Sequence, residues 1–360
     1  MASSEETLKT LRKKIDEVDE KIVELLKQRV QLAQEIGKVK EKKGRASFDL
    51  SREKAVISRI LKLNQGVFPE EALKIIYSEI IKACRGVQEK LKVAYLGPEA
   101  TFSHIAALNF FGSATHFVPV ETILDVFEEV ASERVHFGVV PIENSIEGVV
   151  ATTLDAIYEY GLKVCGEIYE SISHHLLNLT GRLEDIKKIL SHPQAIAQCR
   201  KWLRKKLPSV TIETVSSTAF AAKWAAVDES VGAIASLMAA KLYHLQVVAK
   251  NIEDIKGNST RFWIIGKSEV PPTGNDKTSL IFSVADRPGA LFDVLKCFAE
   301  RKINLTKIES RPSKNEPWKY HFFLDCEGHI KDPKIKECLD EMQNYCVQVV
   351  WLGSYPKGNK

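Results

Sequence analysis

Residues 8–39 read LKTLRKKIDEVDEKIVELLKQRVQLAQEIGKV, and Leu8, Leu11, Ile15, Val18, Ile22, Leu25, Leu32, Ile36 and Val39 keep a 3-4 apolar spacing throughout. That spacing predicts one long helix with an a/d seam. At the seam position between Leu25 and Leu32 stands Arg29. A guanidinium in an apolar seam costs several kcal/mol unless something anionic meets it. Lys40 follows about three turns and ~16 Å further along the axis, so both cations look into one cavity from the same side. A small dianion fits between them. Arg12 lies ~25 Å upstream of Arg29 and not a whole number of turns away, so it reaches the site of a second chain rather than its own. A helix of ~50 Å does not stand alone in a domain of roughly 90 residues, and an antiparallel intertwined dimer would bury it. Ser3, with Glu6 three residues on, has the pattern of a capping box at its start.

Two shorter helices follow. The pattern predicts one from Asp49 to Leu63, carrying Arg52 and Glu53, and a second opened by Pro69 with Leu73, Ile76, Tyr77, Ile80, Cys84 and Val87 on one face. Gln88 shares that face with Cys84, which puts a further polar group beside Arg29 and Lys40 in what is otherwise core.

Together these residues resemble the all-helical type of chorismate mutase. The motif is met by Leu11-Arg12-Lys13-Lys14-Ile15, Arg29, Gly37-Lys38-Val39-Lys40, Asp49, Arg52-Glu53 and Gln88. The resemblance implies that Arg29, with Arg12 of the partner subunit, holds the two carboxylates of chorismate, that Lys40 and Gln88 face the ether oxygen, and that Glu53 and the region of Asp49 take the substrate hydroxyl. Cys84 stands where the family commonly has Ser, so a weak thiol donor replaces a hydroxyl. The chemistry suits the residue types. A pericyclic rearrangement needs no nucleophile, only a held conformer and stabilised charge on the breaking ether. Bidentate arginines match carboxylates and a lysine point charge matches one oxygen.

Composition bounds the rest. The chain has 360 residues, 44% hydrophobic and 27% charged, which suits two or three globular domains. Residues 1–90 hold 20 basic and 15 acidic side chains, an excess of five out of a total net charge of +4, so the basic surplus lies where the anion site is expected. Those cations alternate with acids and no aromatic residues interleave them, which argues against nucleic acid. Seven cysteines without a CxxC pair point to free thiols in a reducing compartment. No signal peptide or bilayer-length apolar run is present, so the expectation is a cytoplasmic protein without a membrane role.

From Val93 short apolar runs alternate with helix-like stretches, the mark of an α/β fold. The runs lead into Gly97-Pro98-Glu99-Ala100-Thr101, Pro141-Ile142-Glu143-Asn144-Ser145, Ser191-His192-Pro193-Gln194, Ser216-Ser217-Thr218 and Ala235-Ser236. Hydroxyl-bearing strand-to-helix turns offer backbone N–H groups, a helix dipole and an O–H donor to an anion. No Walker A or GxGxxG sequence occurs, and the histidines lack metal-ligand spacing, so neither nucleotide nor metal is expected.

With Asn258-Ser259-Thr260-Arg261-Phe262 added, residues 92–267 resemble prephenate dehydratase. That family has two α/β lobes, resembling type II periplasmic binding proteins, with the site between them. The resemblance implies a cleft lined by Glu143, Asn144, Ser145, Ser217, Thr218, Thr260 and Arg261, with Thr260 catalytic. Arg261 is expected either to clamp the pyruvyl carboxylate or to form a structural salt bridge.

Beyond a Pro271–Asp276 linker, the order strand, helix, strand, strand, helix, strand is ferredoxin-like. Arg287-Pro288-Gly289-Ala290-Leu291 and Glu309-Ser310-Arg311-Pro312 resemble the ACT domain attached to prephenate dehydratases, which implies a phenylalanine effector site at Gly289, Ala290, Leu291, Glu309, Ser310 and Arg311. Phe292 stands where family members often have Met.

The expectation is therefore a multidomain chain: an all-α chorismate mutase bundle over 1–90, a two-lobed dehydratase over 92–267 and an α+β ACT domain over 277–360. Chorismate and prephenate are the expected substrates and L-phenylalanine the effector, with no cofactor and a homodimer or higher even oligomer. Two alternatives stand beside it: a dehydratase preferring arogenate, and a non-catalytic amino-acid sensor, against which Lys40, Gln88 and Thr260 speak.

Overall fold

Helices α1 (Ser4–Lys42), α2 (Leu50–Asn64) and α3 (Glu70–Gln88) open the chain. The computed structural model describes residues 4–42, 50–88, 91–313 and 320–358; Ser3 and Asp49 lie outside them. The chain divides into two compact units, the first of residues 1–91 with 111–116, the second of 92–110 with 117–360. In the first unit, every residue of the apolar stripe quoted above is 48–63% exposed. The flank of α1 adjoining this stripe is what packs within the chain. Ala33 and Gly37 are buried, with Arg29 and Lys40 half-buried on the same side. A Cβ on Gly37 would come within 2.9 Å of the Gln88 carbonyl oxygen, so the glycine is what lets α1 approach the end of α3.

The second unit begins with β1 (Lys92–Leu96), α4 (Phe102–Phe111), β2 (His116–Val120), α5 (Ile123–Ala131), β3 (Phe137–Asn144), β4 (Gly148–Val149), α6 (Ala151–Tyr160) and β5 (Lys163–Ser171). The chain then crosses to a second lobe. That lobe comprises β6 (His175–Asn178), β7 (Lys188–Ser191), α7 (Pro193–Gln198), α8 (Arg200–Lys206), β8 (Thr211–Thr214), α9 (Thr218–Ala225), β9 (Val231–Ala235), α10 (Leu237–Leu242) and β10 (Gln246–Ala249). It returns through 250–258 to β11 (Ser259–Gly266), which inserts antiparallel between β3 and β5 of the first sheet. The two sheets run β2-β1-β3-β11-β5 and β10-β6-β9-β7-β8. Two crossings between two α/β lobes leave a cleft with strand ends and helix starts on both walls, where polar backbone groups are available to a ligand.

One sequence expectation changes here. In place of the expected strand-to-helix turn at Pro141–Ser145, β3 runs on to Asn144 and hairpins into β4. Proline is tolerated because the β3–β11 register shifts at this point: Arg261 pairs with Glu143 and Phe262 with Pro141, a bulge beside the residue that cannot donate.

The last module is βαββαβ: β12 (Asp276–Val284), α11 (Ala290–Glu300), β13 (Leu305–Pro312), β14 (Tyr320–Glu327), α12 (Pro333–Met342) and β15 (Cys346–Pro356), with sheet order β13-β14-β12-β15. The stretch expected as a linker is a built turn, in which the Asp276 carboxylate accepts from the Thr273 hydroxyl and the Gly274 N–H. One face of this sheet packs α11 and α12 through Phe282, Phe298, Leu324 and Met342. The other sends Ile281, Phe323, Leu352 and Tyr355 into one core with Trp263, Ile142 and Leu154 of the first lobe. The module is thus welded to the strand that carries Thr260. At Gly353 a Cβ would lie 2.2 Å from the Val164 carbonyl oxygen, so no other residue fits at that junction.

Candidate active sites and effector pocket

In the helical unit, α1 brings Arg29 and Lys40 to the α3 side, and Arg29 donates to the Ile80 carbonyl at 3.3 Å. Cys84 is buried and Gln88 ends α3 beside Gly37. Arg12 is exposed on the stripe-bearing part of α1, where its own bundle does not enclose it. Arg52 stands in the first turn of α2. Glu53 is held differently from the expectation, since its carboxylate accepts from Arg85 at 2.8 Å. Arg85 is 3% exposed and also donates to the Phe111 carbonyl at 2.8 Å. Burial pulls the Arg85 pKa down, against the attraction of Glu53. Sequence reasoning missed Arg85, because a lone arginine late in a helix reads as ordinary dipole complementation.

The interlobe cleft has a volume of about 920 Å³. Thr260, Asn144, Ser217 and Thr218 line it. Asn144 Oδ1 accepts the backbone N–H groups of Ile146 and Glu147, which turns its amide nitrogen toward Thr260 Oγ1 at 2.9 Å. The threonine oxygen is therefore an acceptor towards Asn144, and its own proton is left to donate into the cleft. Ser217 caps α9 and Thr218 opens it. Ser145 does not line the cleft; its hydroxyl braces the returning strand, donating to Asn258 Oδ1 at 3.1 Å and accepting from Ser259 N at 3.0 Å.

Glu143 and Arg261 are corrections to the expected cleft. Side chains alternate along a strand, so neighbours of Asn144 and Thr260 point to the other face. Glu143 takes Lys307 at 3.0 Å. Arg261 is 4% exposed and its guanidinium is fully engaged by Glu167 (2.7 Å), Asp325 (2.6 Å) and the Tyr355 hydroxyl (3.0 Å). Lys277 completes the cluster on Glu167 at 2.8 Å. Two cations and two carboxylates balance, and the charges around Arg261 hold its pKa well above the usual value despite the opposing effect of burial. Arg261 thus takes the structural-salt-bridge alternative.

Among the described residues, no lysine or arginine lines the cleft. A carboxylate bound there meets neutral donors, and that is the setting in which a carboxylate is most easily lost as carbon dioxide, because no fixed cation stabilises it before reaction. The lining groups that sequence reasoning did not assign are His174, Gln198, Phe102 and Asn258. His192 and Gln194 belonged to a quoted turn, so they could have been added on the same logic as Ser217; His174 gave no signal.

The last module holds a second cavity, of about 690 Å³, lined by Gly289, Ala290 and Leu291 with Arg287, His321 and Val347. Gly289 has φ +83° and caps α11, a conformation few other residues adopt. Tyr158 of α6 also lines it and bonds Gln348 at 3.2 Å, so the first lobe forms part of the wall. Glu309, Ser310 and Arg311 do not line this cavity; they lie within β13, paired to β14, and Arg311 reaches Asp155 at 3.4 Å. All seven cysteines are free. Among the described residues, no helix is long and apolar enough to cross a membrane.

A helical unit with inward cations, a two-lobed cleft with a prepared hydroxyl and a ferredoxin-like module with its own pocket define a modular enzyme of small carboxylate metabolites. Three family models match in tandem: chorismate mutase type II over 11–89, prephenate dehydratase over 93–270 and ACT domain over 278–342. The chain belongs to the bifunctional chorismate mutase/prephenate dehydratase family. A protein of that name from Aquifex aeolicus is 50% identical over 356 residues, covering 98% of both chains. Among solved structures, a prephenate dehydratase from Arthrobacter aurescens in complex with L-Phe is 34% identical with TM-score 0.68, covering 74% of this chain and 90% of its own. A protein described as a novel quorum quenching acylase, GqqA, is 30% identical with TM-score 0.68, covering 74% of this chain and 97% of its own.

Proposed function

We propose that the chain rearranges chorismate to prephenate in the helical unit, converts prephenate to phenylpyruvate in the interlobe cleft, and is inhibited by L-phenylalanine bound at the start of α11. Fold alone does not choose between a dehydratase and an acylase, since one fold hosts several chemistries. The observation that carries the reading is the Asn144–Thr260 pair in a cleft without a fixed cation. It supplies a donor to a departing hydroxyl while leaving the ring carboxylate poorly solvated, as loss of hydroxide with carbon dioxide requires.

In the helical unit Arg29 and Lys40 supply the carboxylate and ether-oxygen cations, with Cys84, Gln88 and Arg52 around them. The exposed stripe of α1 is the surface on which a second copy of the chain would lie, bringing Arg12 of the partner subunit to the site. The working boundaries are 1–90, 92–267 and 277–360. Thr260→Val should lower phenylpyruvate formation from prephenate by at least about 100-fold, the scale for losing a positioned donor, while chorismate consumption continues. Arg29→Ala should do the reverse. Assays of each variant with each substrate test this, and loss of both activities in either variant would contradict separate sites. Supplying prephenate and arogenate to the wild-type chain in parallel decides between the two dehydratase substrates.

A further inference from the structure

Loss of hydroxide from prephenate needs a proton, and a threonine hydroxyl is a feeble acid. Among the described residues that line the cleft, His174 and His192 are the two that ordinarily titrate near neutrality. Their hydrogen bonds set them apart. His174 lies in the first crossing between the lobes and is 3% exposed, its ring edge-on to Phe102 at 5.8 Å. Nε2 pairs with Gln198 Oε1 at 3.0 Å. Gln198 Nε2 donates to the Glu147 carboxylate at 3.0 Å, and a carboxylate only accepts, so the nitrogen end of that amide faces Glu147. Its oxygen end then faces both Asn258 Nδ2, at 3.0 Å, and His174. It follows that His174 Nε2 carries a hydrogen in either protonation state. The titrating atom is Nδ1, which is buried and has no partner. His192 is the opposite case. Its Nδ1 accepts the Gln194 N–H as the cap of α7, at 3.3 Å, and protonation there would break the cap.

We infer that His174 is the general acid of the dehydratase: protonated at Nδ1, it gives that proton to the hydroxyl leaving the prephenate ring, which Thr260 orients. The ring carbon–oxygen bond breaks with its electron pair on oxygen, the proton makes water, and the carbon–carbon bond to the ring carboxylate breaks with its pair entering the ring as carbon dioxide departs. Imidazolium plus prephenate dianion thus give neutral imidazole, phenylpyruvate anion, water and carbon dioxide, and His174 is reprotonated from solvent. The charged groups around it are Glu253, whose carboxylate accepts the His174 backbone N–H, Glu147 through Gln198, and the neighbouring His175. Burial lowers the His174 pKa against the attraction of Gln198 and Glu253, which makes the imidazolium a stronger acid than a free one.

This inference rests on the dehydratase reading, so the test starts from the full-length wild-type chain and prephenate, with initial rates between about pH 5 and 9. Wild-type kcat should fall on the alkaline side as one group loses its proton. In His174→Gln, kcat should drop by about 100-fold or more with KM little changed, the alkaline fall should vanish, and added imidazole should restore part of the rate. Chorismate consumption by the same preparation should be unchanged. A drop of less than about threefold, or an alkaline limb that survives in the variant, would overturn the assignment of His174. A wild-type chain inert towards prephenate would instead remove the dehydratase reading, and this inference with it.

Discussion

At Thr260-Arg261 two adjacent residues on one strand do unrelated work. Thr260 faces the cleft and Arg261 faces a buried charge cluster shared with Glu167, Asp325 and Tyr355. Removing one partner of a buried pair strands the others at a cost of about 3–5 kcal/mol. Arg261→Ala should therefore lower the thermal unfolding midpoint of the second unit markedly while the residual folded enzyme keeps its KM for prephenate. Calorimetry with parallel kinetics checks this, and a raised KM at unchanged midpoint would return Arg261 to the substrate. The hydroxyl residues and Asn144 were legible in the sequence because each stands in a motif. The division between Thr260 and Arg261 was not, because the side-chain period of 2 assigns neighbours to opposite faces without saying which face is the cleft. His174 was invisible for a different reason: its role depends on Gln198 and Glu147, which come from other parts of the chain.

Among the elements, α1 was the most legible. Its 3-4 spacing gave both the helix and the position of Arg29, and the structure leaves the stripe uncovered within one chain. Exposed apolar area of that extent marks an interaction surface. Ile15→Lys combined with Ile22→Lys should yield a monomer by sedimentation and should lower chorismate turnover by at least about 100-fold through loss of Arg12 of the partner subunit. An unchanged oligomeric state with unchanged turnover would remove the second copy from the site. Strand β3 was the least legible, since Pro141 argued for a turn and only the bulge opposite Arg261 and Phe262 makes it a strand residue. The terminal βαββαβ order was readable because each strand and helix has its own period, yet the strand β13 carries Glu309-Ser310-Arg311 past the pocket that motif was expected to line.

On the scale of the whole molecule, the ACT module shares a hydrophobic core and a buried charge cluster with the strand bearing Thr260, and α6 of the first lobe supplies Tyr158 to the pocket at Gly289. No motif in the sequence announces that junction, because core residues of two modules look alike until they are packed together. The same unit buries His175 and half-buries His104 and His192, each with its pKa lowered chiefly by burial and with Nδ1 accepting a backbone N–H. A histidine kept neutral in the fold binds fewer protons than in the unfolded chain, so the stability it supports is present above the unfolded value of about 6.5 and is lost as pH falls below it. Unfolding midpoints of the second unit should accordingly decline from about pH 6.5 downward, and a midpoint flat to about pH 5 would contradict the neutral assignment. The account as a whole is tested most directly by giving the purified chain chorismate alone and following chorismate, prephenate and phenylpyruvate with time, with and without L-phenylalanine. It predicts transient prephenate followed by phenylpyruvate, with the second step slowed by L-phenylalanine; untouched chorismate, or prephenate that accumulates and goes no further, would contradict it.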